Sequence, residues 1–236
     1  MNDPAAAPSG ASGLSQETLK IIACVTMLID HIGAVFIPGY TLRIIGRVSF
    51  PIFCFLLAEG VHHTRDPRRY GARLCVSMVL SEIFFDLAFF GRFTWLYQSV
   101  MVTLLLGFLA LEAAKKCPHL LLKVLVVIPF ALVAERMHTD YGRHGVYLVA
   151  LFGLSRELPF RQLIRLVGMG LIFARMGSLN IPIGSVYLPI QMFGLLAMVP
   201  ICLYSGRKTS GNKLIQWGFY LFYPVHLLIL YLIRIL

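Results

Sequence analysis

The sequence predicts an all-α, polytopic integral membrane bundle of about eight or nine transmembrane helices, with its N-terminus in the cytoplasm. Of the 236 residues, 58% are hydrophobic and only 14% are charged. A soluble domain would have about 45–50% apolar and about 25% charged residues. Long apolar runs recur along the whole chain, and a spanning helix needs about 20 such residues. Composition and apolar runs together exclude a sizeable soluble domain.

The chain divides into a short polar tail and one membrane domain. Residues 1–17 are small and polar and are expected to be a disordered tail, and residues 18–236 form the domain. Two apolar segments, 145–155 and 162–174, are short for full spans, so short tilted helices and a re-entrant pair both stay open. The predicted apolar segments are, in order, 19–37, 44–62, 72–90, 97–114, 120–134, 145–155, 162–174, 185–204 and 215–235.

Basic residues between the apolar segments orient the bundle. If successive segments alternate in direction, connections on the side of the N-terminus hold about two thirds of the 21 Lys and Arg residues. The positive-inside rule then places the N-terminus in the cytoplasm, and for a bacterial chain this predicts a multi-pass protein of the cytoplasmic (inner) membrane. We therefore expect the lipid bilayer, and no nucleic acid, as a partner of this chain of net charge +10.

The five cysteines lie in or beside apolar segments and form no Cys-x-x-Cys pair. Cysteine in such surroundings behaves as a small hydrophobic residue. We predict packing roles for them, with neither a disulfide nor a bound metal.

Ionisable residues interrupt the apolar segments at similar depths. The stretch MLIDHIGAVF places Asp30 and His31 about 15–17 Å along the first segment, near the middle of a hydrocarbon core about 30 Å thick. The same count brings Glu82 and His226 to a similar level, with Arg47 towards the outer side. Each such group costs about 2.5–3.5 kcal/mol in a bilayer unless it faces the bundle interior. The pattern predicts a polar chamber, with Glu82 as the expected partner of the His31 imidazole.

Simpler interpretations of the same residues stay open. His226 could serve only to hydrogen-bond two helices, and Arg47 could be an interfacial anchor. The basic stretch after the second segment could be no more than a positive-inside loop; it contains His62, His63, Arg65, Arg68 and Arg69.

Several long stretches resemble the TraX family of membrane proteins, from about Leu19 to the C-terminus. They are, in order, MLIDHIGAVF, LRIIGRVSFPIFCFLLAEGVHHTRDPRRYGARL, SEIFFDLAFFG, VTLLLGFLAL, DYGRHGVYLV and YLFYPVHLLILYLIR. The family looks like a compact relative of integral membrane acyltransferases that acetylate extracytoplasmic acceptors. Its namesake is linked to acetylation of the N-terminus of a conjugative pilin subunit.

The resemblance implies an acyltransferase that moves an acetyl (acyl) group from cytoplasmic acetyl-CoA (acyl-CoA) to an extracytoplasmic pilin peptide or envelope glycan. His31 or His226 would take the acceptor proton or carry the acyl group, and Asp30 or Glu82 would orient the imidazole. Arg47 would face the oxyanion or an acceptor carboxylate.

The resemblance also suggests residues that bind the two substrates. Arginine forks suit the phosphates of coenzyme A, so we predict that the donor is held by His62, Arg65, Arg68 and Arg69. The family often has an amide where this chain has Ser99. Acceptor binding is expected at Arg43, Glu59, Asp86, Gln98, Asp140, Tyr141 and Tyr223.

Two other function classes fit the same residues. A proton-coupled transporter also uses intramembrane Asp, Glu and His, although the sequence shows no internal repeat. A non-catalytic pilus or envelope assembly factor would need these residues only for packing.

Overall fold

A computed structural model describes residues 13–177, 179–183, 186–207 and 213–236. Within them the regular secondary structure is helical apart from one antiparallel hairpin, formed by β1 (Asn180–Ile183) and β2 (Val186–Pro189). The helices are α1 (Gln16–Val35), α2 (Thr41–Gly46), α3 (Ser49–His63), α4 (Pro67–Phe90), α5 (Val100–Ala114), α6 (Leu120–Arg136), α7 (Gly142–Leu154), α8 (Arg161–Phe173), a 3-10 helix (Ile190–Ala197), α9 (Met198–Cys202) and α10 (Lys213–Ile235).

The prediction of an all-helical fold with membrane-spanning helices is confirmed in its general form. Each predicted apolar segment overlaps one helix or a pair of consecutive helices, and the segment 185–204 also includes strand β2 at its start. In the described part of the chain, three helical stretches are long and apolar enough to cross a membrane: Gln16–Val35, Thr41–His63 and Trp217–Ile235. Most of the predicted N-terminal tail, residues 1–12, lies outside the described residues. Near the end of this tail the backbone N–H of Leu14 donates to Leu203 O at 2.8 Å, and α1 begins at Gln16.

Successive helices run in opposite directions between two ends of the bundle. We call the end at which α1 begins the proximal end, where Lys115 Nζ donates to Val61 O at 2.6 Å and Arg156 contacts Glu59. At the opposite, distal end, Arg234 Nη1 donates to Ala88 O in the last turn of α4 at 2.8 Å. The short helices α7 and α8 follow the same alternation, which both short tilted helices and a re-entrant pair would preserve.

Helix α3 lies at the centre of the bundle and packs against α1, α5, α7 and the 3-10 helix. Its buried Phe55 contacts Phe152 of α7, with ring centroids 5.6 Å apart. Apolar side chains instead point outward on the peripheral helices, where Leu121, Leu171 and Ile229 are half or more exposed. Water would make such faces unfavourable, whereas hydrocarbon chains accommodate them.

Helix α10 lies parallel to α4 and is joined to it beside a proline. Pro224 has no backbone N–H, so it leaves the carbonyl of Tyr220 without its usual intrahelical donor. The buried Ser77 of α4 supplies the missing bond, with its hydroxyl donating to Tyr220 O at 3.2 Å. A backbone group that cannot reach water is thereby paired.

Helices α1 and α2 approach closely at Gly46. A Cβ at this position would overlap the Cβ and carboxyl group of Asp30. In contrast, a Cβ at Gly170 of α8 would meet no described atom within 4 Å.

We predict that Gly46→Ala lowers the free energy of unfolding by about 1–3 kcal/mol, because the added methyl must displace Asp30. The control Gly170→Ala should be neutral or stabilising by up to about 1 kcal/mol, since alanine favours the helix. Unfolding curves of the two variants in the same detergent test the difference. Equal stability of both variants would contradict the close approach at Gly46.

Candidate functional site

A cavity of about 900 Å³ runs through the bundle and is lined by α1, α2, α3, α4, α5 and α10. Its middle section is mainly apolar, whereas both ends are polar and charged. Residues of the proximal end include Gln16, Glu17, Lys20, Glu59, His63, Thr64 and Arg73; those of the distal end include Asp30, His31, Arg43, Arg47, Tyr97, Asp140 and Tyr141.

Two histidines from different helices meet at the distal part of the cavity. Nδ1 of His31 lies 2.7 Å from Nε2 of His226, and the two rings are nearly parallel, with an interplanar angle of 13°. Tyr223 and Phe89 pack edge-on against the His31 ring, with centroids at 6.0 and 5.4 Å. The predicted common level of His31 and His226 is therefore confirmed by direct contact.

The hydrogen bonds of the pair define its tautomers when both rings are neutral. Nδ1 of His226 lies 2.7 Å from the carbonyl oxygen of Phe222, which can only accept, so this nitrogen carries the proton. Nε2 of His226 then accepts from the Nδ1–H group of His31. Nε2 of His31 is left as the unprotonated nitrogen, and His31 is the one of the two histidines that lines the cavity.

The carboxylate of Asp30 binds two arginines rather than an imidazole. Its Oδ2 accepts from Arg43 Nη1 at 2.8 Å, and its Oδ1 accepts from Arg47 Nη2. The expectation that Asp30 orients a histidine is wrong, because adjacent residues of a helix point about 100° apart. The pair Asp30–His31 lies four to five residues before Val35, the last residue of α1, so it is in the distal half of this helix.

The two arginines differ in how many of their N–H groups donate hydrogen bonds. Arg47 has a side chain only 7% exposed, and it donates from Nε to Arg43 O, from Nη1 to the Tyr141 hydroxyl and from Nη2 to Asp30. Arg43 is 27% exposed and uses only Nη1 within the described part of the chain. Arg43, rather than the predicted Arg47, has free donors for an anion in the cavity.

A tight turn before α7 completes the distal wall. Tyr141 has a backbone φ of 65°, a left-handed conformation that is unusual and strained for a residue with a side chain. Its ring stacks on Phe50 with centroids 3.7 Å apart, and Asp140 Oδ1 accepts from its backbone N–H at 3.1 Å. Thr103 of α5 donates to the carbonyl of Asp140, which fixes the turn to the bundle.

Three predicted site residues, Glu82, Asp86 and Gln98, lie away from the cavity. Both carboxylate oxygens of Glu82 accept from the backbone N–H of Ser99, and the Ser99 hydroxyl donates to Glu82 at 2.5 Å. The predicted contact of Glu82 with His31 is wrong, because this carboxylate holds the start of α5. Asp86 accepts from Thr94 N at 2.9 Å, and the backbone of Gln98 pairs with the turn before α7. None of these three lines the cavity in the described structure.

The predicted donor-binding residues are exposed beside the proximal end. The cavity lining in the described part of the chain does not include His62, Arg65, Arg68 or Arg69. Arg69 instead forms an ion pair with Asp66, with Nε 3.0 Å from Oδ2. Glu59, expected at the acceptor site, is instead proximal and binds Arg156 and His63.

Lys20 and Arg73 do line the proximal end, and the sequence interpretation missed both. The available signal was helical spacing, since Arg73 follows Arg69 by four residues and extends one turn further along α4.

We predict that Asp30→Asn lowers the free energy of unfolding by about 3–5 kcal/mol, because two guanidinium groups lose their shared carboxylate. Arg43→Gln should cost less, since Asp30 keeps its pair with the more deeply buried Arg47. Denaturant unfolding in detergent gives both values. A smaller loss for Asp30→Asn than for Arg43→Gln would contradict the assignment of Asp30 as the shared partner.

Known proteins resemble this chain over much of its length. The chain is 30% identical over 237 residues to the probable fimbrial assembly protein FimC, serogroup H1, of Dichelobacter nodosus, which covers 90% of this chain and 92% of that protein. It is 32% identical over 93 residues to an uncharacterized protein of Rickettsia prowazekii (strain Madrid E), over 39% of this chain and 34% of that protein. No solved structure matches it. The family described as TraX protein matches residues 15–234, and the chain therefore belongs to the TraX family.

Proposed function

We propose that this chain is a membrane acyltransferase that moves an acetyl group from cytoplasmic acetyl-CoA to an acceptor on the other side of the membrane. The observation that carries the proposal is the His31–His226 pair: its hydrogen bonds leave Nε2 of His31 unprotonated, and His31 lines a cavity that runs between the two ends of the bundle. Acyl transfer to an amine or hydroxyl needs such a base.

His31 acts as the general base in this mechanism. Its Nε2 takes the proton of the acceptor amine or hydroxyl while the new C–N or C–O bond forms, and it then gives that proton to the departing thiolate as the C–S bond breaks. His226 keeps the proton of His31 on Nδ1, so that Nε2 stays available. The donor's thioester supplies the activated acyl group.

Arg43 stabilises the negative charge that develops on the acyl oxygen. Its free N–H groups face the same part of the cavity as His31, and donors preorganised in a dry site are far more effective than in water. Asp30 and Arg47 hold this arginine in place through the shared carboxylate and through the carbonyl of Arg43.

The two ends of the cavity suit the two substrates. With the positive-inside rule the proximal end lies in the cytoplasm, and the helices form a multi-pass bundle in the inner membrane. Lys20 and Arg73 at the proximal end, together with the apolar middle section, fit a donor with an anionic nucleotide and an uncharged arm. The distal end, with its strained Tyr141 turn, receives the acceptor.

The name of one relative supports one acceptor class over the other. One relative is named as a probable fimbrial assembly protein, which favours the N-terminus of a pilin or fimbrial subunit over an envelope glycan. A synthetic peptide with a free N-terminus and the same peptide with a blocked N-terminus would separate amine acceptors from others.

We predict that purified protein in proteoliposomes transfers label from [14C]acetyl-CoA to such a peptide. His31→Ala should lower the rate by about 100-fold or more, and His226→Ala by about 10- to 100-fold, because a general base contributes about 10²–10⁴. His119→Ala, at an exposed histidine that does not line the cavity, is the control and should keep the full rate.

Undiminished transfer by both the His31 and the His226 variants would reject the histidine mechanism. Solute flux across the proteoliposome membrane without any acyl-CoA would instead identify a proton-coupled transporter. Normal fimbrial assembly in cells that carry His31→Ala, with no transfer in vitro, would identify a non-catalytic assembly factor.

A further inference from the structure

The proximal end of the cavity has a basic patch that the proposed chemistry at the distal end does not use. Arg73 of α4 and Lys20 of α1 line it beside three aromatic rings. The guanidinium carbon of Arg73 lies 5.6 Å from the ring centroid of Tyr70 and 5.9 Å from that of Tyr220. Nζ of Lys20 lies 5.1 Å from the centroid of Phe219. Aromatic faces therefore hold both cations at the cavity wall.

Arg73 has no carboxylate partner among the described residues, and its described contacts are with aromatic rings alone. Two carboxylates line the same end of the cavity. Glu59 binds Arg156 and His63, and Glu17 lies one turn from Lys20 on α1. Arginine presents five N–H donors in a planar fork that matches phosphate oxygens. An arginine at a cavity wall with these donors unused is suited to an anionic ligand.

The distance between the patch and His31 limits what the ligand can be. Lys20 and His31 are eleven residues apart on α1, which is about 16 Å at 1.5 Å per residue. The section between them is lined mainly by apolar side chains, including Met27, Leu57 and Leu74. An extended phosphopantetheine arm, from sulfur to phosphorus, spans about 15 Å by the same advance per bond as an extended peptide.

We propose that Arg73, together with Lys20, binds the diphosphate of the acyl-CoA donor, so that the arm crosses the apolar section and the thioester reaches His31. This inference rests on the proposed acetyl transfer. Tyr70 and Tyr220 keep the arginine fork in position, and Arg65, Arg68 and Arg69 meet the donor only outside the cavity.

The test measures binding of coenzyme A and of pantetheine, which lacks phosphates, to the full chain in a neutral detergent by calorimetry. Arg73→Gln should weaken coenzyme A binding about 10- to 100-fold, the value of one charge-assisted contact, and leave pantetheine binding unchanged. Arg136→Gln is the matched control, because this exposed arginine at the end of α6 does not line the cavity. Equal losses for both ligands, or none for coenzyme A, would overturn the proposal.

Two further measurements keep the proposal testable if Arg73→Gln folds poorly. Arg73→Lys keeps the charge but loses the fork, and it should bind coenzyme A more weakly than the native chain. In the native chain, coenzyme A should protect Lys20 from amine-modifying reagents, and no protection would overturn the proposal. If Arg73→Gln instead releases bound phosphatidylglycerol and keeps its affinity for coenzyme A, the ligand is a lipid headgroup and the donor assignment is wrong.

Transfer assays separate this inference from the proposed function. If the native chain transfers acetyl groups and Arg73→Gln has an unchanged KM for acetyl-CoA, the proposed binding site is wrong and the proposed acyltransferase activity stands. If coenzyme A binding depends on Arg73 but no acceptor is acetylated, the proposed binding site is supported and the proposed acyltransferase activity is wrong.

Discussion

The carboxylate of Asp30 is the group on which the distal half of the molecule depends. It joins α1 to α2 through two arginines, and one of these, Arg47, extends the connection to Tyr141 at the start of α7. Charges are costly in a bundle surrounded by hydrocarbon, so each of these groups is stabilised only while the others are present. His31 is the next residue along α1, and its position at the cavity wall therefore depends on the same set of bonds.

The cavity is polar at both ends and mainly apolar between them, an arrangement that fits the proposed reaction between substrates from opposite sides. Its distal part holds a histidine pair and a partly free Arg43, its middle is mainly apolar, and its proximal part presents Arg73 held by rings. Helix α10 closes one side of this cavity. The bond from Ser77 to the carbonyl released by Pro224 holds α10 against α4, so packing of the two helices also positions His226.

Much of the fold was accessible from the sequence because hydropathy is a property of each segment by itself. The apolar segments predicted helices with bounds close to those observed, and the two segments judged short, 145–155 and 162–174, are α7 and α8. Counting the rise along helices also brought His31 and His226 to one level, where the structure joins them. The same count failed for Glu82, which bonds to Ser99, and for the choice of Arg47 over Arg43 as the exposed donor.

The sequence by itself therefore determined the class of protein and most of its helices, since composition and hydropathy decide these, and the fixed helical rise brought His31 and His226 to one level. Only the tertiary structure decided which side chains meet: that Asp30 binds arginines, that His226 supports His31, and that Arg73 lines the cavity while Arg68 does not. These choices depend on the direction in which each side chain leaves its helix and on which helices are neighbours. Neither quantity is a property of one segment, because both arise from the packing of all the helices together.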